Sequence, residues 1–334
     1  YEDAPWSERE NYPQAALVAI DPKTGAVRAM VGGRDHRSAP YNRAMANNRS
    51  PGSAFKPLTY VAAFDRGTAN PTTVIIDEPT QFRIYNQIWE PRNYDRTYMG
   101  AMTLKMGLAL SRNVIAAKLI EKVSPEAVVD YAEKLGISSE LQPHLSLSLG
   151  ATGVSPFEMA EAYATLATQG IHREPFLLRK VFTTERNVYE AELKSKRVLD
   201  QQTGYIMIDM LSGVIDFGTG EGVRSRGFYR PCAGKTGTTN DYRDAWFVGF
   251  TPDLVAVVWV GFDDNHPMRT KWGGGVAGAT GGLPIWTAFM KRALKDTPYS
   301  EFPIPPGIEF KKINPYTGEE VSAYDDGIRV AVRR

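Results

Sequence analysis

The chain has 334 residues, of which 43% are hydrophobic and 23% charged, a composition typical of globular proteins rather than of disordered or membrane-embedded ones. Its 39 basic and 38 acidic residues leave a formal charge of +1, without long runs of one sign, so a nucleic acid is not an expected partner. The single cysteine, Cys232, excludes an internal disulfide, and the four histidines lack ligand spacing, so we expect neither a metal nor a cofactor.

The longest hydrophobic stretch, 254–262, is too short for a membrane-spanning helix. Its β-branched residues instead predict a buried strand. The sequence begins at Tyr1 and lacks the apolar segment of a secretory signal. We therefore expect it to be a piece of a longer protein.

The first predicted elements are two strands, 15–20 and 26–31, joined by a loop whose proline and glycine suit a tight hairpin. The next is a helix that starts at about Ser53, because Pro57 is tolerated only in a first turn, and that stops at Gly67.

The middle of the chain has hydrophobic residues at helical spacing. Several segments follow a Ser-Pro or Thr signal and stop at a glycine, as at Gly136 and Gly170. The predicted helices are 104–110, 114–123, 125–135, 156–167 and 203–215.

Strands return in the last third of the chain. Residues 251–253 have the composition of a hairpin loop between two of them. The predicted elements here are strands 232–239, 245–250 and 254–261 and a closing helix, 284–294.

This order predicts a mixed α/β (α+β) fold, in which an antiparallel sheet of about five strands is flanked by helices and carries an inserted, mostly helical lobe. The predicted domain spans 1–300, with a sheet lobe at about 13–50 and 200–296 and a helical lobe at about 54–200. Residues 301–334 are predicted to form a proline-rich, weakly patterned tail. A functional site is expected in the cleft between the lobes.

Ser53 and Lys56 are the first candidate catalytic residues. Three residues apart on a helix, they share one face, about 5–6 Å apart at Cβ. A serine hydroxyl becomes a nucleophile when a base takes its proton, and a lysine is such a base if burial or a nearby cation lowers its pKa. The alternative is a capping serine beside a solvated lysine.

Ser111 and Asn113 form the second candidate pair. In an extended loop, residues two apart point to the same side, so a hydroxyl and an amide would both face the cleft. The alternative is a helix cap in front of Val114.

Lys235 opens the third motif, whose candidate substrate-binding residues are Thr236, Gly237, Thr238 and Thr239. On a strand, the first and third of these four share a face, and a glycine lets a peptide backbone approach closely. A peptide would then bind by strand addition. The alternative is an ordinary edge strand with a bulge glycine. The same tripeptide at 23–25 lies in a predicted turn and is not a candidate.

The three motifs occur in the order that marks penicillin-binding proteins and class A β-lactamases. Over about 13–295 the sequence resembles class A penicillin-binding proteins. The segments that carry this resemblance are 49–57, 218–220, 234–240, 244–252 and 281–286.

The resemblance implies a β-lactamase/transpeptidase-like fold and a peptidoglycan D,D-transpeptidase. Ser53 would attack the carbonyl between the two terminal D-alanines of a stem peptide, and Lys56 would take its proton. Ser111 would relay a proton to the leaving D-alanine, and Asn113 would hold the peptide amide. Lys235 would keep that end of the cleft positive.

The resemblance also implies that Thr236 and Thr238 bind the terminal carboxylate and that the N–H groups of Ser53 and Thr238 form the oxyanion hole. The implied partners are donor and acceptor stem peptides and β-lactam antibiotics. Class A members usually carry a glycosyltransferase domain and a membrane anchor, so the parent protein is expected on the outer face of the cytoplasmic membrane.

Three other functions remain open. A β-lactamase would deacylate the same serine with a carboxylate-activated water. A D,D-carboxypeptidase would use water as the acceptor, and a β-lactam sensor or binding domain would remain acylated. We interpret Arg34, Arg43 and Arg49 as solvated loop charges and Cys232 as a small buried residue.

Overall fold

The computed structural model describes residues 12–84, 87–184, 186–269 and 274–334, apart from the side chains of Ile84 and Asn240. Its strands, in chain order, are β1 (Gln14–Ile20), β2 (Val27–Val31), β3 (Val74–Asp77), β4 (Phe82–Ile84), β5 (Gln87–Trp89), β6 (Gly100–Thr103), β7 (Ile171–Arg173), β8 (Lys180–Phe182), β9 (Asn187–Glu190), β10 (Ser195–Arg197), β11 (Ala233–Thr238), β12 (Asp244–Phe250), β13 (Val255–Gly261), β14 (Ile308–Ile313) and β15 (Ile328–Arg333).

Its α-helices are α1 (Lys56–Asp65), α2 (Leu104–Ala109), α3 (Asn113–Val123), α4 (Pro125–Leu135), α5 (Pro156–Ala167), α6 (Gln201–Phe217), α7 (Gly222–Ser225) and α8 (Gly282–Ala293). Short 3₁₀ helices lie at Arg43–Met45, Gly52–Phe55, Leu145–Leu149 and Asn240–Tyr242. Within the described ranges, none of the helices has the length and apolar character needed to cross a membrane.

The central sheet has five antiparallel strands in the order β11-β12-β13-β1-β2, so the predicted fold class is confirmed. Successive residues of its inner strands face opposite layers, as a strand requires. Val257 packs in the core on the α1–α5–α6 side, whereas Val258 packs with Trp286 of α8 on the other. Because both faces are covered, the inner strands are continuous hydrophobic runs.

The predicted helices are confirmed in position, with ends that differ by less than a turn. Gly136, with φ 114°, ends α4, and Gly170, with φ 88°, follows the end of α5; both lie in the left-handed region where a glycine is favoured. The middle of the chain is less purely helical than predicted. It also contains the two-stranded pairs β3–β6, β4–β5, β7–β10 and β8–β9.

The C-terminal segment differs from the weakly patterned tail that the sequence predicts. Its strands β14 and β15 form an antiparallel hairpin. Val330 and Ala331 of this hairpin are buried, and the Ala331 N–H donates to Asp209 Oδ2 of α6 at 2.9 Å. Alternation is hard to recognise in strands of six residues separated by a long loop. The division of the chain at residue 300 stays a prediction.

The interpretation of Arg43 and Arg49 as solvated charges is wrong, since both are buried. Arg43 Nε donates to Asp263 Oδ1 at 2.6 Å. Arg49 donates to the carbonyl of Phe262 at 2.9 Å and lies over the ring of Trp259. These guanidinium groups satisfy acceptors at the end of β13, a long-range role that the sequence does not reveal. Arg34 is exposed and Cys232 is buried, as expected.

Candidate active site

Ser53 lies in the 3₁₀ turn Gly52–Phe55, which leads directly into α1. Pro57 is in the first turn of α1, where its missing N–H leaves no helix hydrogen bond unmade. A 3₁₀ turn therefore occupies the predicted helix start at about Ser53, and the α-helix itself begins at Lys56. Ser53 is half-buried, whereas Gly52 and Ala54 on either side of it are buried.

The serine turn, which is residues 51–55 around Ser53, packs closely against Gly237 and Gly150 of two other segments. A Cβ on Gly237 of β11 would lie 2.3 Å from the carbonyl oxygen of Pro51, and one on Gly150 would lie 2.3 Å from that of Gly52. Gly237 was expected to make room for a substrate backbone. The structure shows that its missing side chain lets β11 approach the serine turn, and the role in substrate binding stays a prediction.

Lys56 joins the first two motifs. Its completely buried amine donates to the Ser111 carbonyl at 2.5 Å, to Ser111 Oγ at 3.2 Å and to Asn113 Oδ1 at 2.7 Å. The alternative interpretation, in which Lys56 is exposed to solvent, is therefore wrong.

Ser111 and Asn113 lie in a tight turn between α2 and α3, so the expectation of an extended loop is wrong. Ser111 has φ 58°, and its N–H still bonds to the Leu108 carbonyl at the end of α2. Asn113 is the first residue of α3, with Arg112 as its N-cap. The sharp turn nevertheless brings both side chains to Lys56.

Lys235 reaches the same point from the edge strand β11. Its buried amine donates to Ser111 Oγ at 2.8 Å and to the Thr236 carbonyl at 3.1 Å. The Ser111 hydroxyl thus lies between the amines of Lys56 and Lys235, and one hydrogen-bonded cluster joins the three motifs.

Burial changes the proton affinity of both amines. It lowers the pKa of Lys235 to about 7. Burial, together with the nearby charges of Lys235 and Arg112, lowers the pKa of Lys56 well below its ordinary value, while Asp77 opposes this shift. An amine whose pKa is lowered by burial and by nearby cations gives up its proton more readily, and the neutral amine is able to act as a general base.

The threonines of the third motif differ in their partners. Thr236 Oγ1 is 2.7 Å from Oγ1 of Thr219, and Thr238 Oγ1 accepts a hydrogen bond from the Gly278 N–H at 3.0 Å. Thr239 Oγ1 accepts from the N–H of Asp244 at 2.8 Å, so it stabilises the turn between β11 and β12.

Sequence reasoning assigned no role to Thr219 or Asn93. Thr219 lies in the segment 218–220, which contributed to the family resemblance and was the one available signal for it. Asn93 carried no signal, although its Oδ1 accepts the N–H of Asn113 at 2.8 Å. Among the residues that the structure describes, no group of His, Cys, Asp or Glu is arranged to hold a metal ion.

The sequence model of one protein family, the penicillin-binding protein transpeptidase domain, matches residues 15–282, which is most of the chain. The chain therefore belongs to the penicillin-binding protein transpeptidase family. Similar curated proteins place it with the class A type.

Penicillin-binding protein 1A of Neisseria lactamica is 36% identical, over 88% of this chain and 38% of that protein. The protein of the same name from Aquifex aeolicus is 36% identical, over 90% of this chain and 41% of that protein. The chain thus spans about two fifths of the length of these curated relatives.

Solved structures agree with this placement. The crystal structure of penicillin-binding protein 1A from Haemophilus influenzae superposes with a TM-score of 0.87 at 28% identity, over 96% of this chain and 53% of that one. PonA1 of Mycobacterium tuberculosis, in complex with penicillin V, superposes with a TM-score of 0.77 at 29% identity, over 90% of this chain and 84% of that one.

Proposed function

We propose that this chain is a peptidoglycan D,D-transpeptidase domain that forms an acyl-enzyme on Ser53 with peptides ending in D-Ala-D-Ala. The observation that carries the proposal is the cluster in which the buried amines of Lys56 and Lys235 both donate to the Ser111 hydroxyl. Lys56 follows Ser53 by three residues in the chain. The cluster supports the roles of Ser53 as nucleophile, Lys56 as its base and Ser111 as proton relay.

In the acylation step, neutral Lys56 takes the proton of Ser53 as Oγ bonds to the carbonyl carbon of the penultimate D-alanine. The developing oxyanion is held by the N–H groups of Ser53 and Thr238. The close packing of β11 on the serine turn supports this assignment, since a Cβ on Gly52 would lie 2.6 Å from the Thr238 carbonyl.

The C–N bond to the terminal D-alanine then breaks, and its nitrogen needs a proton. Lys56 supplies this proton through the Ser111 hydroxyl, which lies between the two amines. Asn113 holds the peptide amide, and the hydroxyls of Thr236 and Thr238, beside Lys235, bind the terminal carboxylate.

The acyl group is then transferred to an amine of a neighbouring stem peptide, which gives up a proton to Lys56. Lys56 passes this proton to Ser53 Oγ as the bond between Oγ and the acyl carbon breaks, so that the free serine hydroxyl is restored. A β-lactam would take the place of the D-Ala-D-Ala end and remain on Ser53. In the described part of the chain, the partners of Lys56 Nζ are Ser111 and Asn113 rather than a carboxylate. This supports a transferase over a β-lactamase that deacylates through a carboxylate-activated water.

We propose further that the parent protein resembles its curated relatives in length, carries a glycosyltransferase domain and a membrane anchor, and works on the outer face of the cytoplasmic membrane. The support is the share of 38% to 41% that this chain covers in two penicillin-binding proteins 1A.

The test is intact-protein mass against time after addition of penicillin, followed by peptide mapping. We expect one adduct per chain, on Ser53 and stable for many minutes. Ser53→Ala should give no adduct, because the attacking oxygen is missing, whereas the exposed Ser225→Ala should behave as wild type.

Other outcomes select the alternatives. An adduct that persists in Ser53→Ala contradicts the proposed nucleophile, and rapid turnover of the drug would make the chain a β-lactamase. With a D-Ala-D-Ala donor and an added amine, a cross-linked product is expected from a transpeptidase. Hydrolysis alone would indicate a carboxypeptidase, and no product at all would indicate a sensor.

A further inference from the structure

A network of buried polar side chains lies behind the Ser111–Asn113 turn. It consists of Asp77 at the end of β3, Asn93, and Arg112, which are 1%, 3% and 5% exposed. Arg112 Nε donates to Asp77 Oδ2 at 2.8 Å, and Asn93 Nδ2 donates to Asp77 Oδ1 at 2.7 Å. Asp77 therefore uses both carboxylate oxygens to hold the other two residues in place.

The network continues directly to Asn113. Asn93 Oδ1 accepts the Asn113 N–H at 2.8 Å, and Asn113 Nδ2 donates to the Arg92 carbonyl at 2.7 Å. Because its amide nitrogen is held there, the oxygen of the same amide points to Lys56 Nζ, 2.7 Å away. The orientation of Asn113 thus depends on the segment 92–93, which lies about 20 residues before it in the chain.

Arg112 also ties down the loop that carries Asn93. Its Nη1 donates to Asp95 Oδ2 at 2.8 Å, and its Nη2 donates to the carbonyl of Thr97. Asn93 Nδ2 bonds to the same carbonyl at 2.9 Å. A guanidinium group makes these bonds in a fixed fork, a geometry that a lysine does not reproduce.

Three charged residues from other elements act on the Lys56 amine. Lys235 comes from β11, Arg112 from the α2–α3 turn, and Asp77 from the end of β3. Lys118 on α3 is paired with Glu78 instead. The two cations lower the pKa of Lys56 and the carboxylate raises it.

We propose that Asp77, Asn93 and Arg112 are positioning residues of the reaction: they hold Ser111 and Asn113 against Lys56, and their opposed charges set the field in which Lys56 takes up and releases its proton. This inference rests on the proposed function, in which Lys56 is the base. It assigns separate contributions to the neutral and the charged members of the network.

The test is the pH dependence of the Ser53 acylation rate with penicillin. The acid limb reports protonation of the base. Arg112→Gln removes a positive charge and should move this limb to higher pH, whereas Asp77→Asn removes a negative charge and should move it to lower pH. Arg112→Lys keeps the charge without the fork, so the limb should stay in place while the rate falls.

Asn93→Ala separates position from charge. It should lower the acylation rate by about 100-fold, because a misplacement of about 1 Å has that effect, and should leave the acid limb in place. Asp209→Asn is the matched control, because Asp209 pairs with the buried Lys105 and is not among the charges that act on Lys56. It should lower stability without moving the limb.

A common loss of rate in Arg112→Gln and Asp77→Asn, without limb shifts of opposite sign, would overturn the inference and leave the proposed function intact. If Asp77→Asn does not fold, Asp95→Asn replaces it. Asp95 also bonds to Arg112 but is about half exposed, so the expected shift has the same sign and is smaller. A wild-type chain that is not acylated at Ser53 would contradict the proposed function itself.

Discussion

Lys56 and Lys235 place two amines inside the protein, completely shielded from water. Burial disfavours the charged form of a lysine, and a second cation nearby disfavours it further. The folded state therefore holds these residues at a cost in stability. In return, an amine becomes able to exchange a proton near neutral pH.

The cost at Lys235 predicts a pH-dependent stability. Its pKa is about 7 in the folded protein and 10.5 ordinarily, so between these values the unfolded chain binds more protons. Between pH 7 and 9, the unfolding free energy of the wild type should rise by about 2 kcal/mol relative to that of Lys235→Met. Denaturant unfolding at a series of pH values measures this difference.

The exposed Lys196→Met is the control, and its difference from wild type should not change with pH. A constant difference for Lys235→Met as well would show that Lys235 keeps its proton in the folded protein. That outcome would contradict the lowered pKa.

Strand β11 and the serine turn act together at the level of elements. Gly237 and Gly52 allow the two backbones to pack without an intervening side chain. This contact places the N–H groups of Ser53 and Thr238 on neighbouring segments, as the proposed oxyanion hole requires. A small change in the packing should therefore affect catalysis more than stability.

Gly237→Ala tests this expectation. Its Cβ would lie 2.3 Å from the Pro51 carbonyl oxygen and 3.0 Å from Ala54 Cβ, so β11 must move away from the serine turn. Acylation should fall by about 100-fold. The unfolding free energy should fall by about 1–3 kcal/mol, as is usual for overpacking.

Gly67→Ala is the matched control, since a Cβ there meets no atom within 4 Å but the residue has φ 67°. It should lower stability by about 1 kcal/mol through backbone strain and leave acylation unchanged. Equal acylation by wild type and Gly237→Ala would exclude a catalytic role for the close packing.

For the molecule as a whole, α6 connects the catalytic strand to the C-terminal hairpin. One side of α6 packs on β11, and Asp209 on α6 bonds to Lys105 and to the Ala331 N–H of β15. Ala331 belongs to the same hydrophobic cluster as residues of the central sheet. The hairpin therefore contributes to the main core.

Ala331→Asp should lower the unfolding free energy by about 3 kcal/mol or more, because it buries a carboxylate without a cation in a hydrophobic cluster. Thermal or denaturant unfolding measures the loss. Tyr324→Asp, in the loop between β14 and β15 and fully exposed, should change stability by less than about 0.5 kcal/mol. Similar stability in both variants would mean that the hairpin is not part of the cooperative unit.

Much of the fold could be predicted from the sequence because its signals are local. Helices α3 to α6 have clear apolar spacing and start or stop signals, and strands β12 and β13 are long hydrophobic runs joined by a turn. The small strand pairs in the middle of the chain were missed. Strands of three or four residues are too short for an alternation to be recognised.

The catalytic candidates Ser53, Lys56 and Lys235 could be identified without a structure, since each belongs to a short motif whose residues are neighbours in the chain. The surroundings of these residues depend on the tertiary fold. The contacts of Asn93 with Asn113, of Lys235 with Ser111 and of Gly237 with Pro51 join segments about 20 to about 190 residues apart. No local pattern encodes such contacts, because they depend on how the lobes pack, and that packing also removes the lysines from water and lowers their pKa values.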